Sequence, residues 1–69
     1  MKLGQEIMVN KGVKMWGGKI ERVWLTKWLP TGHYQLLGLV RKEDGKANGW
    51  CILKDSERIG DCRRAALNY

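Results

Sequence analysis

Nine glycines and one proline interrupt a chain of only 69 residues, and nowhere between them does an apolar period of 3.6 residues persist long enough for a helix. Short strands joined by tight turns are what such punctuation permits, so the chain is predicted to be all-β. Size narrows the choice. A chain of this length buries about 60% of the surface its unfolded form exposes, and its core supplies roughly 3–5 kcal/mol. One domain spanning residues 1–69 fits that limit, and a two-lobed enzyme with a deep cleft does not. Apolar residues at 43%, with four Trp and two Tyr, argue against disorder.

The two-residue alternation places a first strand over Gln5 to Asn10, with Leu3, Ile7 and Val9 on one face. Val13 to Gly18 reads as a loop holding Met15 and Trp16, with Gly17-Gly18 able to take positive φ. Lys19 to Trp28 is the longest strand candidate. Ile20 and Val23 break its alternation, and a bulge near Arg22 restores it. After the turn Leu29-Pro30-Thr31-Gly32, the strand His33 to Arg41 carries Tyr34, Leu36, Gly38 and Val40 on one face and Leu37 and Leu39 on the other. Being apolar on both, it is expected to be central and covered on two sides, by a small barrel or by a second copy of the chain. Lys42 to Gly49 has the composition of a hairpin loop, and Trp50 to Lys54 that of a fourth strand. Asp55-Ser56-Glu57 is read as one 3₁₀ turn, Arg58 to Asp61 as a short closing strand, and Cys62 to Tyr69 as one helical turn or a loose end. Ile7, Val9, Ile20, Val23, Leu36, Val40 and Ile52 are the expected core.

Five short strands, a long bent second one and a 3₁₀ turn before the last describe a five-stranded SH3-like barrel. Gly4 to Gly12 followed by Gly18-Lys19-Ile20-Glu21-Arg22-Val23 resembles the KOW-type pattern of a strand, a glycine loop and a Gly-x-Ile-x-x-Val strand. Gly4 to Gly12, Trp16, Gly18, Ile20, Trp24, Thr26 and Pro30-Thr31-Gly32-His33-Tyr34 also look like the plasmid-encoded type II dihydrofolate reductases, whose fold is the same barrel and which work as tetramers around a shared pore. That family's pore strand reads Val-Gln-Ile-Tyr; the matching positions here are Trp50, Cys51, Ile52 and Leu53, of which only Ile52 agrees, and its pore lysine would fall near Val9. The resemblance therefore implies the fold more than the activity.

Charge carries the functional reading. Thirteen Lys and Arg against seven Asp and Glu give +6, and a basic face attracts phosphate backbones without regard to sequence. Lys14, Lys19, Arg22 and Lys27 lie around the first two strands, and Arg41 and Lys42 beside the hairpin. Trp16 and Trp28 are the rings placed to stack a base or anchor a protein. The first expectation is a small basic nucleic-acid-binding barrel, binding DNA or RNA, of the kind that serves as a regulatory or accessory protein of a phage or plasmid. The alternative is an interaction module or inhibitor that docks an acidic protein partner. A continuous basic stripe favours the first, and an apolar patch rimmed by charge the second. A homo-oligomer is compatible with either. A third reading, the reductase-like tetramer, needs Cys51, Ile52 and Leu53 to line a pore.

Nothing in the sequence pairs a nucleophile with a base. His33 has no Ser, Cys or carboxylate at a telling spacing, and Glu43-Asp44 lies in a loop beside Lys42 and Lys46. Two cysteines and one histidine cannot complete a four-ligand zinc site, so neither a metal nor another cofactor is expected. Cys51 and Cys62 read as small, half-buried hydrophobes, a disulfide being the alternative. The segment Met1 to Glu6 has no apolar stretch of a secretory leader, and no run approaches a membrane span, so the expectation is a cytoplasmic protein with no membrane contact.

Overall fold

The computed structural model describes the backbone of residues 1–69 and every side chain except those at positions 47 and 48. The strands are β1 (Glu6–Met8), β2 (Lys14–Met15), β3 (Gly18–Trp28), β4 (His33–Lys42) and β5 (Ala47–Ser56), followed by one helix, α1 (Ile59–Ala66). All pairings are antiparallel, in the order β1-β3-β4-β5, with β2 also on β3. Among the described residues β1 and β5 do not pair, so the sheet is open.

The bulge expected near Arg22 is present. Ile20 faces Val40 and Arg22 faces Leu39, which leaves Glu21 as the extra residue of β3. This inserted residue puts Ile20 on the same side as Val23 and Leu25 although Ile20 and Val23 are three apart; Trp24, in regular register with Leu37, faces the other side. The core then forms on one face only: Ile20, Val23, Leu25, Leu36, Val40 and Cys62 are buried, with Ile7, Val9, Tyr34 and Leu53 packed against them. Each large aliphatic side chain buried in this way stabilises by about 1.5–3 kcal/mol. Gly38 belongs to this face because a side chain there would run into Leu53 and Ile20.

Several expectations fail. The closing strand at Arg58 to Asp61 and the 3₁₀ turn before it do not form; β5 continues to Ser56, and Ile59–Ala66 is helical. Ile59, Cys62, Ala65 and Ala66 recur at helical spacing and pack on the core, Asp61 sits in the first turn, and Arg63 and Arg64 complement the helix dipole in the last. Ser56 Oγ donates to Asp61 Oδ2 at 2.6 Å and fastens the helix to the end of β5. The fifth strand is instead β2, within the expected loop. Ile52 is not core but 59% exposed. Leu36 faces Lys54 whereas Leu37 faces Ile52, so Leu53 is a bulge residue that turns inward and sends Ile52 to the other side.

The second face of β4 is consequently not covered. Only α1 lies against the sheet, on the core side, and Leu37 and Leu39 stay half-exposed. No helix among the described residues is long and apolar enough to cross a membrane.

Candidate nucleic-acid interface

β2 and β3 form a hairpin with a two-residue turn, Trp16-Gly17, in which both residues have positive φ, 54° and 79°. That pattern matches the right-handed twist of the flanking strands and is normally filled by Asn-Gly or Gly-Gly. A bulky residue there is a backbone outlier that costs about 1–3 kcal/mol, which the surroundings must offset. The turn also throws the ring outward: Trp16 is 70% exposed. Gly18 is constrained differently. Its φ is not positive, but a Cβ would collide with the carbonyl of Arg41 and with Val40, so β3 and β4 approach closely at the base of the tip.

Register then aligns cations. Lys14 faces Lys19, and Lys19 faces Arg41, so one cross-strand row carries three positive side chains. Like charges directly opposite one another destabilise a sheet. Arg41 is partly compensated, because its guanidinium donates to Glu21 and to the carbonyl of Gly45. Lys14, Lys19 and Lys42 have no ion pair among the described residues. Lys19, Arg41 and Lys42 line a groove of about 520 Å³ that Val9, Gly12, Glu21 and Glu43 also border. Glu21, the bulge residue, reaches Arg41 and thereby fixes the guanidinium at the groove.

The remaining sequence-predicted residues lie elsewhere. Arg22 follows the bulge on the outer face of the sheet, which Lys19 and Arg41 share by the alternation of β4, but its Nε donates to Glu6 Oε1 at 2.7 Å and its charge is matched. Lys27 and Trp28 end β3, and an eleven-residue strand rises roughly 33 Å, so they are a molecule's length from the tip. Lys27 Nζ stands 5.5 Å over the Tyr34 ring. Trp28 is 51% exposed and, with Trp24, Pro30 and Leu37, borders a groove of about 440 Å³ on the outer face. The structure thus gathers Lys14, Trp16, Lys19, Arg41 and Lys42 and separates them from Arg22, Lys27 and Trp28.

A cluster that the sequence did not reveal joins the ends of β4 and β5. His33 Nδ1 lies 2.7 Å from Asp55 Oδ1, His33 Nε2 3.7 Å from Glu57, and Gln35 Nε2 donates to Asp55 Oδ2 at 2.8 Å. The Gln35 amide first, and then the His33 ring, hold the Asp55 carboxyl below its ordinary value of 3.8. A carboxylate only accepts, so Nδ1 carries the hydrogen. The only sequence signal for this pairing is the Gln35–Asp55 register, which becomes visible once β4 and β5 are aligned.

Both cysteines are free thiols. Cys62 is buried and Cys51 half-buried, their Sγ atoms face the carbonyls of Tyr34 and Gly38, and burial pushes both thiols up. Trp50 and Ile52, which align with the reductase pore strand, face outward from β5. No cluster of three metal-ligating side chains occurs among the described residues. The chain matches no protein-family model, no curated protein and no solved structure.

Proposed function

We propose that this protein binds nucleic acid through the β2–β3 hairpin tip, on a fold that is a variant of the SH3-like small barrel. The fold reading draws support from the order of the elements: a short β1, a long β3 bent at Glu21 and shared between β1 and β2, then two hairpin-connected strands. One observation carries the function. Lys14 and Lys19 face each other with no carboxylate between them, beside a Trp16 held in an unfavourable backbone state. Repulsion and strain in one turn are explained by a ligand that relieves the first and uses the exposed ring. Phosphates neutralise the lysines and release counterions, and a base stacks on the indole. Titration with short single- and double-stranded DNA and RNA at two salt concentrations tests the proposal. Tighter binding at low salt that weakens when Lys14 or Lys19 becomes Ala supports it; no binding at low salt refutes it.

The interaction-module reading draws on a separate observation, the exposed apolar residues Met8, Trp50 and Ile52 on the outer face of the sheet.

A further inference from the structure

Register orders the outer face of the sheet in rows that run across the strands. Lys14, Lys19 and Arg41 form the row nearest the tip. The next row holds Met8, Arg22, Leu39 and Trp50, and the one after it Glu6, Trp24, Leu37 and Ile52. Thir further rows are more polar: Thr26, Gln35 and Asp55 stand together, and Trp28 faces His33 at the far end. Trp50 is 41% exposed. Its ring meets that of half-buried Trp24 edge to face across β4, with centres 5.8 Å apart at 64°.

Charge is graded along this face. The row at the tip carries three cations, of which only Arg41 has an ion pair among the described residues, with Glu21. One row in, Arg22 is answered by Glu6, and beyond the tryptophans stands the Asp55 carboxylate with His33 and Gln35 on it. An anion is therefore attracted at the tip and repelled at Asp55, with the aromatic surface between. The cation row also runs between two indoles, Trp16 at the turn and Trp50 one row further in. Trp50 is the diagonal neighbour of Arg41, because Trp50 faces Leu39 and Arg41 faces Ala47. Such positions are about 7–8 Å apart, within reach of long side chains. The fitting ligand has phosphates along a line and flat rings standing off it. A single nucleic-acid strand offers both, whereas a duplex stacks its bases on one another and opens only their edges in its grooves.

We propose that the ligand of the tip is single-stranded nucleic acid and that Trp50 is its second stacking platform, an inference that rests on the tip as the nucleic-acid site. The backbone crosses the strands over Lys14, Lys19 and Arg41, a row two strand spacings or about 10 Å long. Bases turn to either side, onto Trp16 and onto Trp50, whose ring is steadied by its contact with Trp24. The path stops short of Asp55, so Trp28 takes no part.

Binding of a short oligothymidylate, against a duplex of equal length, tests this on the full chain at low salt. The single strand should bind more tightly. Trp50→Ala should weaken it by about 5- to 150-fold, the loss of one stacked base, with the salt slope unchanged and duplex binding little altered. Trp28→Ala should bind as the wild type does. Should Trp50→Ala not fold, a bromouracil-substituted strand irradiated on the wild type should cross-link to Trp50 and not to Trp28, as mapped by mass spectrometry. Preference for the duplex overturns the proposal. So does single-strand binding that neither the variant nor the cross-link connects to Trp50, which would leave the apolar face to a protein partner. In both cases the tip reading stands if Lys19→Ala weakens binding, whereas no binding of either form refutes the tip and this inference together.

Discussion

Lys14 and Lys19 are direct cross-strand partners, and Lys19 faces Arg41 on its other side. A sheet gains nothing from this row, because like charges opposed in register repel and the effect weakens as salt screens them. The free protein should therefore gain slightly in stability when either lysine is replaced by Ala, most visibly at low ionic strength. Each replacement should weaken binding to every sequence alike and lower the salt slope by about one. Arg22→Ala, which breaks only the pair with Glu6, and Lys27→Ala, at the far end of β3, should leave the slope unchanged. Fluorescence titrations at several salt concentrations distinguish these outcomes, and equal slopes for all four variants would disprove the assignment to the tip.

Trp16 offers a sharper separation of folding from binding. Trp16→Asn creates Asn-Gly, the preferred pair for a turn with two positive φ angles, so the variant should unfold at a denaturant concentration at or above the wild type's. Loss of stacking should meanwhile cost ~1–3 kcal/mol in single-strand affinity with little change in salt slope. A variant that is less stable and binds as before would show that the ring is a structural cap.

The sequence exposed this strain only in part. Gly17 announced the turn, but the strand before it could not be read because β2 has two residues, too few for an alternation to register. The bulge at Glu21 was legible because it leaves a mark in the spacing, Ile20 and Val23 standing three apart where one face of a strand repeats every two. The bulge at Leu53 leaves no such mark: Trp50, Cys51, Ile52 and Leu53 are all apolar or nearly so, and extending a two-residue period across it puts Ile52 on the wrong face. Helix α1 was missed because Cys62, Ala65 and Ala66 are small and its apolar period lasts little more than two turns. The alignment of Lys14, Lys19 and Arg41 depends on register between three strands, which no local pattern encodes.

Leu36 tests the core independently of any ligand. It is fully buried between Leu25 on β3 and Lys54 on β5. Leu36→Ala should cost roughly 2–5 kcal/mol, comparable with the whole stability of such a domain. Gly18→Ala should also destabilise, by a different route: the obstacle is the Arg41 carbonyl, and backbone in a ladder cannot give as a side-chain end can. Thermal unfolding of both variants checks this, and a Gly18→Ala protein as stable as the wild type would mean that β3 and β4 separate at the tip without penalty.

Asp55 gives the fold an acid-sensitive fastening between β4 and β5. Its carboxyl is held below its ordinary value of 3.8 by the Gln35 amide and the His33 ring, so the folded state binds the proton less readily than the unfolded state. The stabilisation is fully present above the unfolded value and is lost as pH falls through the lower folded one. Stability should accordingly be flat in this respect near neutrality and decline below about pH 4. Asp55→Asn cannot ionise; it should be less stable than the wild type at pH 7 and should converge with it in acid. Ser56, and more weakly Arg64, likewise depress Asp61, so the variant should keep part of the acid slope rather than lose all of it. Urea midpoints measured from pH 7 down to pH 2 distinguish these cases. A constant difference between the two proteins across that range would mean that the Asp55 carboxylate contributes no more to the fold ionised than protonated, and that Gln35 and His33 only lie beside it.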